Sequence, residues 1–244
     1  MGLPSNKLPV LEEFVSIQGE GMNMGTPYVF IRVGGCPLRC RFCDSEYTWV
    51  PTKESIKSVQ AVAQKAYEEC VAHGIRWISV TGGEPLLYPD QLKDMMLYWR
   101  KASDAKAKVH IETSGRFYQQ DVHHMSDLWS MDIKTPCTNE VNEADLENLK
   151  HMRACDQVKC LIEGKEDLEY ARRVHNLLDG KCTLVLQPFN MNVGEVQPSI
   201  DKSYVLLEQY RWIVRQVLES GTVWSNTIIT PQIHVLTFGN TPAT

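Results

Sequence analysis

The chain has 244 residues, 43% of them hydrophobic and 23% charged, with 15 Gly, 12 Pro and eight Cys. This is a soluble globular composition that can bury one substantial core, and it excludes collagen-like, disordered and coiled-coil classes. The balance of 25 basic and 30 acidic side chains gives a net charge of −5, the wrong sign for a nucleic-acid binder that works by neutralising phosphates.

The opening MGLPSNKLPVLEEF carries Pro and acidic residues where a secretory leader has an apolar stretch. The longest apolar runs fall far short of the roughly 20 residues a membrane helix needs. A cytoplasmic protein without a membrane span is expected, and MGLPSN is read as a chance match to a myristoylation pattern. Tyr28 to Val33 is an apolar, β-branched and aromatic run closed by Gly34-Gly35, which reads as a strand. The cysteine-rich loop follows it directly. Ser55 to His73 places Ile56, Val59, Ala63, Ala66 and Cys70 at three- and four-residue spacing before Gly74, the pattern of an amphipathic helix with a glycine end.

Strand and helix then alternate. Strands are expected at Trp77 to Val80, Lys108 to Glu112, Leu128 to Ile133, Val158 to Ile162, Thr183 to Leu186 and Thr227 to Ile229. Helices are expected at Pro89 to Ala102, Glu143 to Arg153, Lys165 to Leu178 and Tyr204 to Glu219, with a loop over 190–202. Short strands separated by helices imply a parallel sheet with right-handed crossovers, an α/β fold of the incomplete (β/α)6 barrel kind. One domain over residues 1–244 is expected. The motifs GGC, TGGEP and ETSG each follow an expected strand, so they converge on the rim where such folds carry their active sites. Neither GxGxxG nor GxxxxGK[ST] occurs, which excludes Rossmann and P-loop readings.

In a reducing compartment the eight cysteines are thiols, ligands or catalytic groups. Cys70, Cys137, Cys155, Cys160 and Cys182 are scattered among apolar or helical segments and read as small packing residues. Cys36, Cys40 and Cys43 instead form a CxxxCxxC loop. A structural zinc site would want a second cysteine pair, which the sequence lacks. Three thiolates on an iron-sulfur cluster with one iron left open match the spacing.

CxxxCxxC after the first strand, followed by Gly82-Gly83-Glu84 after the second, resembles the radical S-adenosylmethionine superfamily. Several further segments are similar to the 7-carboxy-7-deazaguanine synthases within it. They are Ser16-Ile-Gln-Gly-Glu-Gly21, Arg32 before GGC, the run from Cys43 to Trp49, Glu112-Thr-Ser-Gly115, Leu186-Gln-Pro188 and Pro231-Gln-Ile-His234. The resemblance implies a [4Fe-4S] cluster on Cys36, Cys40 and Cys43, with S-adenosylmethionine on the open iron, cleaved reductively to a 5'-deoxyadenosyl radical. It further implies a magnesium-dependent conversion of 6-carboxy-5,6,7,8-tetrahydropterin to 7-carboxy-7-deazaguanine with loss of ammonia. An external electron donor such as flavodoxin and a homodimer are implied as partners, with no nucleic acid. A glycyl-radical activase, which shares CxxxCxxC and GGEP but acts on a protein, is the alternative.

Site residues follow from the same motifs. Arg32 lies in an apolar strand on the face of Tyr28 and Phe30, and a guanidinium there needs an anion. The substrate carboxylate is the implied one, and Glu13 or Glu20 the internal alternative. Ile17, Gln18, Gly19 and Glu20 are expected to offer amide and carboxylate edges to the pterin, with Thr81 also on the substrate. Ser45, where relatives carry Thr, is the expected magnesium ligand, with Asp44 read as capping the following turn. Gly83, Glu84, Ser114, Asp132, Lys134 and Gln187 are expected around S-adenosylmethionine, Asp132-Ile-Lys134 standing where relatives have Ser-Pro-Lys. The isolated histidines are read as surface or satisfied core groups.

Overall fold

The strands are β1 (Lys7–Ile17), β2 (Pro27–Val33), β3 (Ile56–Ser58), β4 (Trp77–Gly82), β5 (Lys108–Thr113), β6 (Leu128–Asp132), β7 (Gln157–Ile162), β8 (Thr183–Pro188) and β9 (Thr227–Ile229). The helices are α1 (Val59–His73), α2 (Pro89–Ala102), α3 (Gln120–Met125), α4 (Lys165–Leu178), α5 (Ile200–Glu219) and α6 (Ile233–Phe238). The computed structural model describes residues 3–41, 43–190, 200–239 and 241, the side chain of Lys202 excepted. In these residues the strands form a nine-stranded sheet in the order β3-β1-β2-β4-β5-β6-β7-β8-β9. From β2 onward every pairing is parallel, while β1 runs antiparallel to β2 and β3. The expected parallel α/β barrel, left open between its edges, is the architecture found. No described helix is long and apolar enough to cross a membrane.

Three local differences from the sequence reading have physical causes. β1 carries Pro9, Glu12 and Glu13, which weaken its strand signal; β3 covers it only over Lys7–Pro9, and beyond a bulge between Val10 and Glu12 it pairs with β2 alone. The helix expected from Ser55 begins only at Val59, because Ile56–Ser58 pairs with β1 instead. The helix expected over Glu143 to Arg153 is a 3-10 helix, Glu143–His151. Its buried Leu146 and Leu149, with Met152 beyond, recur every three residues, which lines one face of a three-residue turn and not of an α-helix. Short helices α3 and α6 were not expected. Of the loop expected over 190–202, residues 191–199 lie outside the described residues.

The parallel strands sort their side chains by parity. Val29, Ile31, Ile78, Val80, Val109, Ile111, Trp129, Met131, Val158, Cys160, Leu184 and Leu186 are buried in one apolar cluster with α1, α2 and α4. Removing such a side chain costs about 2–5 kcal/mol, so this face fixes strand register. The alternate positions point the other way. Arg32, Thr81, Glu112, Ser130, Asp132, Lys159, Leu161 and Gln187 thereby line a common cavity at the carboxyl ends of the strands. Cys70, Cys137, Cys160 and Cys182 are buried as expected of packing residues, whereas Cys155 is exposed.

Candidate functional site

The cavity, about 220 Å³, gathers residues from β1 through α6. One wall is the loop after β2. Gly35 N donates to the Thr48 carbonyl at 2.7 Å and Cys36 N to the Trp49 carbonyl at 3.3 Å, so the loop folds back on the 46–49 turn. Arg39 ties it further, donating to the Cys36 and Leu38 carbonyls and lying 4.7 Å from the Trp49 ring centroid. Cys36, Cys40 and Cys43 all face the cavity and are partly buried. Burial pushes all three thiols up, Cys40 to about 11, so a bound cation is needed to make them thiolates near neutral pH.

The donor set fits a multi-iron cluster better than a single ion. Among the described residues only Cys137, Glu163 and Asp167 bring three ligand atoms within 4.8 Å of one another. The three loop thiols therefore lack the close spacing that one tetrahedral zinc requires at about 2.3 Å per sulfur, while a cluster that takes one thiolate per iron spreads them apart. Asp167 is already engaged in holding the start of α4, where it accepts from Cys137 N, Glu163 N and Gly164 N.

Two glycine turns form the second wall. Gly83 N donates to the Val33 carbonyl at 2.9 Å and Glu84 N to the Gly35 carbonyl at 2.7 Å. A Cβ on Gly83 would collide with the Gly35 backbone, so only glycine permits this approach. Gly83 and Ser114 line the cavity as expected, but Glu84 does not. It is completely buried, and its carboxylate accepts from Leu86 N, Thr113 Oγ1, Ser114 N and Ser114 Oγ. The Glu84 side chain thus braces the rims of β4 and β5 and does not face the cavity.

The floor is a charged network. Arg32 Nε donates to Glu12 Oε2 at 2.6 Å, and Tyr47 donates to the same oxygen at 2.8 Å. The partner is thus Glu12; Glu13 instead holds Lys57, and Glu20 holds Lys159. The terminal nitrogens of the Arg32 fork make no hydrogen bond within the described residues, and the side chain lines the cavity. Gln18 and Glu20 line the cavity with their side chains already engaged inside the protein. Gln18 Nε2 donates to Glu112 Oε1 at 3.0 Å, and Gln18 Oε1 accepts from Glu20 N at 3.2 Å. Glu20 accepts from Lys159, Gln187 and Gln232. Burial would raise the Glu20 carboxyl, but Lys159 and His234 hold it far below the usual carboxylate range. Burial opposes charge on Lys159 and Lys134 as well, yet Glu20 and Asp132 outweigh it and raise both.

Ile17, Gly19, Thr81, Ser45, Asp132, Lys134 and Gln187 also reach the cavity. Thr81 Oγ1 lies 3.4 Å from Glu112 Oε2, and Lys134 Nζ donates to Asp132 Oδ2 at 2.7 Å. Ser45 Oγ donates to Asp44 Oδ1 at 3.0 Å, so Asp44 does not cap the turn, whose N-cap Ser45 makes no side-chain cap bond. Sequence reasoning did not single out Glu112, Lys159, Gln232 and His234 as site residues. A polar side chain at the alternate parity of an apolar parallel strand marks Glu112 and Lys159. His234, read as a satisfied or surface group, lines the cavity against Gly19, its Nδ1 without a hydrogen-bond partner among the described residues. His110 is buried beneath the floor, with its Nδ1 3.4 Å from Gln18 Nε2.

A family model described as the Radical SAM superfamily matches residues 30–174. The 7-carboxy-7-deazaguanine synthase of Bacillus subtilis is 30% identical, covering 96% of this chain and 97% of its own. That of Koribacter versatilis is 33% identical over 74% of this chain and 77% of its own, and that of Thermoplasma acidophilum 26% over 96% and 98%. The crystal structure of QueE from Escherichia coli shares the fold, with a TM-score of 0.59 and 20% identity, covering 93% of this chain and 94% of that one.

Proposed function

The chain belongs to the radical S-adenosylmethionine superfamily and, within it, to the 7-carboxy-7-deazaguanine synthases, and from that premise we propose how its residues divide the work. The reaction is conversion of 6-carboxy-5,6,7,8-tetrahydropterin to 7-carboxy-7-deazaguanine with loss of ammonia, in the route to queuosine and related 7-deazapurines. When bound, the cluster and S-adenosylmethionine supply a one-electron cleavage that generates a hydrogen-abstracting carbon radical. The glycyl-radical activase alternative is not favoured, because the full-length relatives act on a small molecule.

Cys36, Cys40 and Cys43 would hold the cluster. Gly83, Ser114, Asp132, Lys134 and Gln187 would hold S-adenosylmethionine, with Glu84 shaping that wall from behind. Arg32, steadied through Nε by Glu12, offers its two terminal nitrogens to the substrate carboxylate, the planar fork that carboxylates match. Glu112 Oε1 is occupied by Gln18 and Ser79, but among the described residues Oε2 has only the long contact to Thr81. It is therefore available to accept from a ring N–H, with Thr81 beside it. Ser45 Oγ and Asp44 are hard oxygens next to the cluster loop, suited to a magnesium ion that takes few protein ligands. A cytoplasmic homodimer, one domain per chain, served by a flavodoxin-like electron donor completes the proposal.

The observation that carries this reading is the convergence on one cavity of three thiols and an arginine whose fork end is unpaired among the described residues. Anaerobic incubation of the reconstituted protein with the tetrahydropterin, S-adenosylmethionine, magnesium and reductant should yield the deazaguanine acid. No product from fully loaded protein would sink the assignment. The loaded protein should be brown, with about four iron and four sulfide per chain, and Cys40→Ala should lose cluster and turnover together.

A further inference from the structure

Glu20 does not stand free to meet a ligand. Its Oε2 accepts from the Lys159 ammonium, and its Oε1 accepts from Gln187 Nε2 at 2.9 Å and from Gln232 Nε2 at 2.7 Å. An ionised carboxylate can only accept hydrogen bonds, so both glutamines must turn their NH₂ ends toward it and their carbonyl oxygens away. Those two oxygens, Gln187 Oε1 and Gln232 Oε1, are buried with no partner among the described residues, and both residues line the cavity. Asp132 Oδ1 is a third buried acceptor in the same condition, its other oxygen being taken by Lys134. Buried polar atoms are nearly always paired in native proteins. Three acceptors around one cavity therefore point to a ligand edge that carries donors.

We propose that Glu20 is a positioning residue: anchored by Lys159, it sets the Gln187 and Gln232 amides so that their carbonyl oxygens, with Asp132 Oδ1, form an acceptor wall selecting a ligand edge of N–H or O–H donors. The inference rests on the reaction assigned above and deepens it. Both of its ligands bear such edges, the pterin through its amino and ring N–H groups and S-adenosylmethionine through its amino and hydroxyl groups. A glutamine at position 20 could donate as well as accept, so nothing would dictate either amide's rotation. The Glu20 carboxylate then contributes to specificity without touching the ligand. Lys159 enters as its anchor, which accounts for a buried ammonium whose nearest carboxylate is not a substrate group.

The test is equilibrium binding to the anaerobically reconstituted protein. S-adenosylmethionine and the tetrahydropterin are each compared with analogues in which one amino or hydroxyl donor at a time is replaced by hydrogen. Wild-type protein should bind at least one donor-deleted analogue tenfold or more weakly than its parent. Glu20→Gln should reduce that penalty threefold or more, and the ligand concerned identifies which edge the wall reads. A Glu20→Gln protein that weakens parent and analogue alike, leaving their ratio unchanged, would assign Glu20 a merely structural role and overturn the proposal. So would a wild-type protein that imposes no penalty. If Glu20→Gln does not fold, Gln232→Leu removes one acceptor while keeping the Glu20–Lys159 pair, and it should lower the same penalty; an unchanged ratio again refutes the wall. Wild-type turnover, assayed alongside, separates the two claims, because absent product with a retained binding penalty rejects the reaction and not the wall.

Discussion

Replacing Glu84 by Ala should destabilise the fold by about 3–7 kcal/mol. The carboxylate is fully buried and takes hydrogen bonds from Leu86 N at 2.9 Å, Ser114 N at 2.9 Å, Thr113 Oγ1 and Ser114 Oγ. The two hydroxyls can rotate toward other acceptors, but the two amides cannot, and each buried N–H left unsatisfied costs about 1–3 kcal/mol. Lost packing of the side-chain methylenes adds about 1 kcal/mol. Glu84→Gln should not be neutral either. Each carboxylate oxygen faces a backbone N–H, so whichever end the amide NH₂ occupies meets a donor, and a loss of about 1–3 kcal/mol is expected. Urea unfolding followed by far-UV circular dichroism gives the differences between variants. An Ala variant that loses less than about 1 kcal/mol, yet binds S-adenosylmethionine more than tenfold more weakly, would show that the carboxylate serves the ligand and refute its assignment as a brace.

Arg32→Lys keeps the charge but loses the planar fork; it should raise KM for the pterin by about 10–100-fold, as expected for one or two charge-assisted hydrogen bonds, while S-adenosylmethionine affinity stays within threefold. Removing magnesium with a chelator should likewise raise the pterin KM tenfold or more in steady-state assays, and an unchanged KM would exclude Ser45 and Asp44 as a functional metal site. Burial lowers the His110 imidazole from 6.5 to about 4, partly opposed by Glu112. The unfolded chain therefore takes up this proton first as pH falls, so the contribution to stability is complete above about 6.5 and is lost progressively down to about 4, on the order of 3 kcal/mol in all. Denaturation at a series of pH values should show that decline in wild type and a shallower one in His110→Leu.

The parallel core of the fold was legible because each of its strands is a short apolar run ended by glycine or polar punctuation, as at Tyr28 to Val33 before Gly34-Gly35. Strand β1 was not, since its Glu12 and Glu13 are stabilised by tertiary partners: Glu12 by Arg32 and Tyr47, Glu13 by Lys57. The same limit governed the site. CxxxCxxC and TGGEP are local in sequence, and the loop backbone alone brings their residues together. Glu20, by contrast, meets Lys159, Gln187 and Gln232 across 139 to 212 positions of chain, and no periodicity encodes such a meeting. Glu84 shows the converse case. Its motif was visible, but whether the carboxylate faced a ligand or the adjacent strand depended on Thr113 and Ser114 reaching it.

The charge inside the cavity sharpens what the overall balance of −5 means. Arg32, Lys134 and Lys159 line it, but so do Glu20, Asp44, Glu112 and Asp132. Among the described residues Lys134 is held by Asp132 and Lys159 by Glu20, leaving the Arg32 fork as the cavity cation with free hydrogen-bonding capacity toward an anion. A carboxylate substrate therefore meets a cavity with more acidic than basic residues, before the three thiols are counted. On the proposed assignment the neutralising charge would arrive with the ligands, from S-adenosylmethionine, itself a cation at its sulfonium, and from a divalent cation beside Ser45 and Asp44. Coulombic attraction at a few ångströms is strong in such a partly desolvated site and screened beyond about 8–10 Å in salt. On that assignment substrate capture would be local, through Arg32 and the bound cations, and the binding of the cationic ligands should favour that of the anionic one.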